Sequence, residues 1–413
     1  MRIVICGAGI VGSAIATHLA AEQNDVTVID HDEEKVQRIA EHADLSAIVG
    51  LASHPDVLER AGLDQAELII AVTESDEVNM VACQMAHSLF KTPTKIARIR
   101  SNAYLRSDIK SKFFTTENMP IDFIISPEQE VASAVSRQIR LPGAFDVKEL
   151  GGGKLQLVGV LCDSNCPIID TPLRHLTDLF PDLSITIVAI LRENLVTISR
   201  DGTDKLKTGD RVYFVCDTEH LERAMAAFGH HEHRTSSVVI AGGGNIGQLL
   251  AQEIESGYSE IKSKIIELNK DQAINIAAKL SNTSVICGDV LDADILKEAS
   301  VGSSETFVAV SNNDEVNILS ALLAKRIGAK YAVVLVNMQG FLPLISTLGV
   351  DVVINPPQIT VSSVLEHIRR GRIIDVHSIV EGLGEVLEAE AVSGSDLVGL
   401  SLIHISEPTR RYS

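Results

Sequence analysis

Apolar residues gather in short runs separated by longer amphipathic stretches, the pattern of strands alternating with helices. Ile3-Val4-Ile5-Cys6 reads as a strand, the amphipathic Ser13–Glu22 as a helix, and the run ending in Val28-Ile29-Asp30 as a second strand. The same succession returns at Val238-Val239-Ile240-Ala241, Gln248–Ser256 and Ile265-Ile266-Glu267. Residues 144–230 differ in texture. Short runs at Leu155–Cys162, Ser184–Leu191, Leu195–Ser199 and Asp210–Cys216 alternate with turn signals at Asp201-Gly202 and Thr208-Gly209-Asp210, which predicts a small α+β domain. After Pro127, Val131, Ala134, Val135 and Ile139 form a helical stripe; after Pro356, Val361, Val364, Leu365 and Ile368 form another.

Internal repetition orders these elements. Ile3-Val4-Ile5-Cys6-Gly7-Ala8-Gly9-Ile10-Val11-Gly12 answers Val238-Val239-Ile240-Ala241-Gly242-Gly243-Gly244-Asn245-Ile246-Gly247, glycine for glycine. Gly50 answers Gly288, Ala71–Asn79 answers Ala309–Asn317, and Ile121–Pro127 answers Val350–Pro356. So many matches in one order point to two copies of one module. The expected fold is α/β: two Rossmann-like parallel-sheet modules, each followed by a small α+β domain, the second truncated. The expected boundaries are 1–128 for the first module, 129–143 for a crossover helix, 144–229 for the small domain and 230–237 for a linker. The second module takes 238–357, its crossover helix 358–374, the start of a second small domain 375–402, and an atypical tail foreign to the fold 403–413.

Composition narrows the function. With no Trp and 4% aromatic residues among 45% hydrophobic ones, the cores must be aliphatic, which suits alternating strands and helices. A net charge of −19 disfavours nucleic acid and anionic lipid as partners. No leader-like apolar region and no spanning run of ~18–20 apolar residues is present, so no direct membrane insertion is expected. The six cysteines read as reduced core thiols, and Cys162 and Cys166 lack the second pair a structural metal site needs.

Each strand-to-helix junction carries Gly-x-Gly-x-x-Gly. The first glycine permits the tight turn, the second lets the backbone approach a pyrophosphate, and the third lets helix and strand pack closely. Backbone N–H groups at the helix start hold phosphate. Asp30 and Glu267, at the ends of the second strands, are placed to accept hydrogen bonds from ribose hydroxyls, which favours NAD(H) over NADP(H). The first copy carries Arg98-Ile99-Arg100 where the second is read as Val334-Leu335-Val336, so the first site is expected to accept the phosphate charge of ATP or ADP. Asp76, Glu77 and Asn79, with Asp314, Glu315 and Asn317, open helices. Capping explains much of that pattern, and ligand contact stays open beside it.

The duplication, Gly7–Gly12, Ile29-Asp30, Ser53–Leu58, Thr73–Cys83 and Ala97–Arg100 together resemble the RCK/KTN family, regulators of potassium conductance, over residues 1 to about 402. The resemblance implies a homo-oligomer, a tetrameric ring, docked on the cytoplasmic face of the inner membrane beneath a potassium-translocating subunit of the TrkH/TrkG kind. It implies NAD/NADH and ATP/ADP as ligands. The implied contacts are Gly7, Gly9, Ile10, Val11, Gly12, Asp30, Thr73, Arg98 and Arg100 in the first module. In the second they are Gly242, Gly244, Asn245, Ile246, Gly247, Glu267 and Asp289. Leu51 stands where many family members have Asp, whereas Asp289 keeps that pattern in the second copy. The resemblance also implies that both crossover helices form dimer-type contacts between domains.

A dehydrogenase would need a proton donor or acceptor aimed at a substrate and a domain closing over the cleft. Neither is legible, and no nucleophile elbow or P-loop lysine is present, so no catalytic residue is expected. Gly229-His230-His231-Glu232-His233 reads as solvated linker, and no metal residue is expected. A nucleotide-sensing regulator is the leading expectation. An NAD-dependent oxidoreductase with a degenerate second module and a purely structural ring remain the alternatives.

Overall fold

The computed structural model describes the chain except residues 177–179, 181–182, 184, 193–194, 199–201, 231–234, 346–347, 369–372, 380–383, 391–397 and 399–413. Most of the expected linker histidines and the whole expected tail lie outside the described residues.

The first module runs β1 (Arg2–Cys6), α1 (Ile10–Ala21), β2 (Asp25–Asp30), α2 (Glu33–His42), β3 (Ser46–Val49), α3 (Pro55–Arg60), β4 (Leu68–Ala71) and α4 (Asp76–Met85). It continues with β5 (Thr94–Arg98), α5 (Asn102–Leu105), α6 (Ser107–Phe113) and β6 (Phe123–Ile125). The strands pair in parallel in the order β3-β2-β1-β4-β5-β6, with the strand order reversing beside β1, where doubly wound folds bind ligands. Both sheet faces are covered, so the central strands read as unbroken apolar runs rather than alternating ones.

The helix α7 (Pro127–Arg140) leaves this module. It begins two residues before the sequence reading because Pro127 occupies the first helical turn, where its missing N–H costs nothing. The middle domain follows: β7 (Ala144–Leu150), β8 (Leu155–Leu161), β9 (Ile185–Arg192), β10 (Leu195–Thr197), β11 (Arg211–Asp217) and α8 (Leu221–Ala227). Its five strands form one antiparallel sheet, β10-β9-β11-β8-β7.

The second module repeats the first: β12 (Ser237–Ala241), α9 (Asn245–Gly257), β13 (Lys262–Glu267), α10 (Lys270–Ala277), β14 (Ser284–Cys287), α11 (Ala293–Glu298), β15 (Thr306–Ala309) and α12 (Asp314–Ile327). It ends with β16 (Tyr331–Leu335), α13 (Leu342–Ile345) and β17 (Val352–Ile354), in the parallel order β14-β13-β12-β15-β16-β17. The second crossover helix α14 (Pro356–Ile368) leads to the hairpin β18 (Ile373–Ile379) and β19 (Gly384–Ala389).

The two crossover helices dock crosswise. Val131, Ala132, Val135 and Ile139 of α7 join Val238, Ile240, Leu250, Ala251 and Ile254 in the core of the second module. Val361, Val364 and Leu365 of α14 join Ile3, Ile5, Ile15, Leu19 and Ile70 in the core of the first. Thus each apolar stripe buries on the other module. Polar contacts fix the register: Ser133 bonds Glu253, and Arg140 lies over the Tyr258 ring with its guanidinium 4.8 Å from the centroid. Ser363 on α14 donates to Glu130 on α7 at 2.8 Å, so the crossing helices also touch each other. The hairpin lays Ile379 and Val386 on the middle domain's sheet, beside Leu157, Leu191 and Tyr213.

Candidate functional site

The glycine turns are built alike in both modules. Gly7 and Gly242 adopt φ of +112° and +109°, a left-handed region that a side chain rarely enters. A Cβ on Gly12 would strike the Gly7 carbonyl, and one on Gly247 the Gly242 carbonyl, so these positions close strand on helix. Gly9 and Gly244 differ in kind. Each caps its helix with no side-chain hydrogen bond, and a Cβ there would meet no protein atom within 4 Å. The space beside them is open, and the first-turn N–H groups of α1 and α9 have no side-chain partner at the cap.

Asp30 accepts the Ala8 amide at 2.6 Å and the Asp32 amide at 2.9 Å, tying the end of β2 to the glycine turn. Glu267 does the same through the amides of Gly243 and Asn269, both at 2.8 Å. In the first module Asp32 caps α2, and its carboxyl is held below its ordinary value, chiefly by the Lys35 amide. Burial pushes the Cys6 thiol at the end of β1 up to about 12, so it is an inert core group.

Thr73 follows β4. Its N–H and hydroxyl both reach Asn79 Oδ1, at 2.9 and 2.7 Å, while Asn79 Nδ2 donates to the Arg98 carbonyl at 3.0 Å. Ser311, Asn317 and the Leu335 carbonyl repeat this staple. Asp76 accepts the amides of Arg100 and Ser101, and Asp314 those of Asn337 and Met338. Asp76 and Asn79 are therefore buried ties between the ends of neighbouring strands. Ser75 caps α4, and its hydroxyl with the Glu77 backbone amide lowers the Glu77 carboxyl, the amide contributing most.

These elements surround one cavity of about 1380 Å³. From the first module it is lined by Gly7, Gly9, Ile10, Val11, Gly12, Asp30, Thr73, Arg98 and Arg100, which brings every predicted first-module residue together. From the second module come Gly244, Asn245 and Ile246, joined by Gln272, Ser311 and Asn337. Gly242, Gly247, Glu267 and Asp289 do not line it. Asp289 is exposed and bonds the Leu291 amide within its own loop. The charged lining residues all belong to the first module and its exit helix: Lys35, Arg38, Arg98 and Arg100 against Asp30, Glu74 and Glu128. In a chain of net charge −19 the cavity wall is thus locally cationic.

The strand registers correct one sequence match. Ala97 pairs with Ala71 and Val334 with Ala309, so Arg98, Ile99 and Arg100 correspond to Leu335, Val336 and Asn337, one residue later than the apolar string suggested. The contrast between a cationic and a neutral strand end survives the correction. Glu128 escaped the sequence reading. Its Oε1 accepts from Arg98 Nη2 at 2.7 Å and lies 3.2 Å from Arg100 Nε. In the second copy the residue after the first-turn proline is Pro357. A signal was available: the two copies change together at the strand end and at this helix start.

The comparisons with known proteins bear on this architecture. The TrkA-N domain model matches residues 3–127 and again 238–356, and the TrkA-C domain model matches 157–229. The chain belongs to the TrkA family. Among TrkA relatives, the "Trk system potassium uptake protein TrkA" of Azorhizobium caulinodans is 50% identical over 402 residues, covering 97% of this chain and 87% of its own. That of Halomonas elongata is 39% identical over 412 residues, covering 99% and 89%. The same fold appears in the GsuK channel bound to NAD, at TM-score 0.65 and 15% identity over 88% of this chain and 63% of that one. GsuK bound to ADP matches at TM-score 0.56 and 13% identity, over 89% and 69%. TrkA membership accounts for the order of module, small domain and module. Among the described residues, no helix is long and apolar enough to cross a membrane, and no cluster of three metal-ligating side chains occurs.

Proposed function

We propose that this chain is a nucleotide-sensing regulatory subunit of a potassium-uptake system, reading NAD(H) and ATP/ADP in the cavity between its modules and gating a potassium-translocating membrane subunit. The observation that carries the reading is the shared cavity. The first module supplies the charged groups, the second closes the opposite wall, and the crossover helix leaving each module packs into the core of the other. A ligand there touches both modules and so biases their relative pose.

The residues fit such a ligand. The uncapped start of α1 offers backbone donors to phosphate, Gly9 leaves room for its approach, Asp30 keeps free lone pairs for ribose hydroxyls, and Arg98 and Arg100 meet further phosphate. Gly244, Asn245 and Ile246 present the second helix start to the same space. The nucleotide supplies charge and shape here. Binding one inter-module pose better than another would shift the population and, through a tetrameric ring on the cytoplasmic face of the membrane, the pore. Family membership favours this regulator over an oxidoreductase, since the relatives are named as potassium-uptake proteins.

The test pairs calorimetry of the purified chain with NAD, NADH, ATP and ADP with potassium flux in proteoliposomes holding a Trk-type membrane subunit. Saturable binding and nucleotide-dependent flux are expected. Steady NADH consumption with a small substrate, or flux indifferent to every nucleotide that binds, would overturn the proposal.

A further inference from the structure

Glu128 stands at a junction. It is the second residue of α7, it lines the cavity, and the rest of its helix is built into the core of the opposite module. Its side chain is 12% exposed and that of its partner Arg98 15%, so the pair is largely withdrawn from water. The pairing is also incomplete: Arg98 Nε and Glu128 Oε2 are both buried without a hydrogen-bond partner. A buried ion pair with unmet donors and acceptors gains little stability from its own contact. Such an arrangement is open to exchange for a better anion. In the second module the corresponding places are held by the uncharged Leu335, Asn337 and Pro357.

We propose that Glu128 is a built-in competitor for ligand phosphate, occupying Arg98 and Arg100 with a carboxylate that an arriving phosphate displaces. The inference rests on the nucleotide reading of the cavity and specifies how binding is transmitted. Phosphate carries more charge and more acceptor oxygens than one carboxylate, so it satisfies both guanidinium groups more fully. Two anions against the same pair of arginines, the largely buried Arg98 and the more exposed Arg100, repel each other, so Glu128 swings away and the first turn of α7 is released. Because α7 is anchored in the second module, the release changes the restraint between modules. The device discriminates by charge: a ligand whose phosphates reach Arg98 triggers it, whereas a nucleoside filling only the ribose end does not.

Glu128→Gln keeps the side chain's shape and removes its charge. Calorimetry on the full chain, with ATP as ligand and adenosine as the phosphate-free control, should show ATP binding about tenfold tighter in the variant and adenosine unchanged. Hydrogen exchange on the unaltered chain supplies a second readout that needs no variant: ATP, and not adenosine, should speed exchange in the first turn of α7. If the unaltered chain binds no nucleotide, the reading of the cavity fails and this inference with it. If ATP binds the unaltered chain but binds Glu128→Gln equally or more weakly, or the first turn of α7 becomes more protected, Glu128 helps hold the ligand and the competitor role is wrong.

Discussion

Truncating Ile139 should weaken a module to which it does not belong in sequence. Ile139 ends the apolar stripe of α7, is 1% exposed, and packs with Val135 among Val238, Leu250, Ala251 and Ile254. Ile139→Ala removes three carbon atoms. At about 0.8 kcal/mol for each buried methylene-sized group, plus a term for the cavity left behind, the loss is about 3 kcal/mol. That corresponds to exchange on the order of 100-fold faster for amides that open with this core. Hydrogen–deuterium exchange read by mass spectrometry resolves the modules. Faster exchange is expected in β12, β13 and β15, with β1 and β4 unchanged. Leu365→Ala on α14, 3% exposed in the other core, should give the mirror image. If Ile139→Ala instead speeds exchange in β1 and β4 and leaves β12 protected, each helix packs on its own module and the crossed arrangement is refuted.

The glycine turn yields a contrast between two like substitutions. Gly9→Ala meets open space and an extended backbone, so the melting temperature should hold while calorimetric nucleotide affinity falls at least about tenfold; Gly12→Ala drives a Cβ into the Gly7 carbonyl and should cost about 1–3 kcal/mol in denaturant titration. Unchanged binding by Gly9→Ala would remove the phosphate role from that turn. In the middle domain, burial would raise the Asp210 carboxyl, but the two-pronged Arg192 contact at 2.7 Å and the Lys207 amide hold it below its ordinary value. Its contribution is therefore complete above the unfolded value of about 4 and is lost as pH falls through the lower folded value; acid melts of Asp210→Asn should show a smaller pH slope in that window than the unaltered chain. Thiol labelling of the native chain should mark Cys287, the exposed cysteine, quickly, and leave Cys6 and Cys216, each pushed up to about 12 first by burial, unreacted until denaturant is added.

The parallel modules were legible because local signals coincide there: a buried apolar strand, a turn that only glycine can make, and a carboxylate closing the next strand. The small α+β domain was legible from short apolar runs broken by turn signals, and the antiparallel order of its strands came only with the pairing. Other features depended on partners that a one-dimensional pattern does not name. The stripe on α7 shows which face is apolar, but Val135 looks the same whether it meets its own sheet or another module's. The one-residue slip at Arg98 arose because Val334-Leu335-Val336 is uniformly apolar and offers no mark of register. The pairing of Val334 with Ala309 supplies that mark only in three dimensions. Asp76 and Asn79 read in sequence as capping residues with ligand contact left open, yet Ser75 takes the cap and these two tie neighbouring strand ends, a role that residue types at a helix start do not name. Their backbone partners show it.

The crossed helices also set a timetable for synthesis. The face of the first module formed by Ile3, Ile15 and Leu19 is completed by Val361, Val364 and Leu365, which leave the ribosome more than two hundred residues after β6. At about 5–20 residues per second, that face waits on the order of ten seconds to a minute before its cover arrives. During that interval the nascent chain carries an apolar surface that its own later sequence is designed to occupy. A second nascent or finished copy could supply the same helix first. The speed of translation through the middle domain and the second module therefore sets how long that surface stays uncovered.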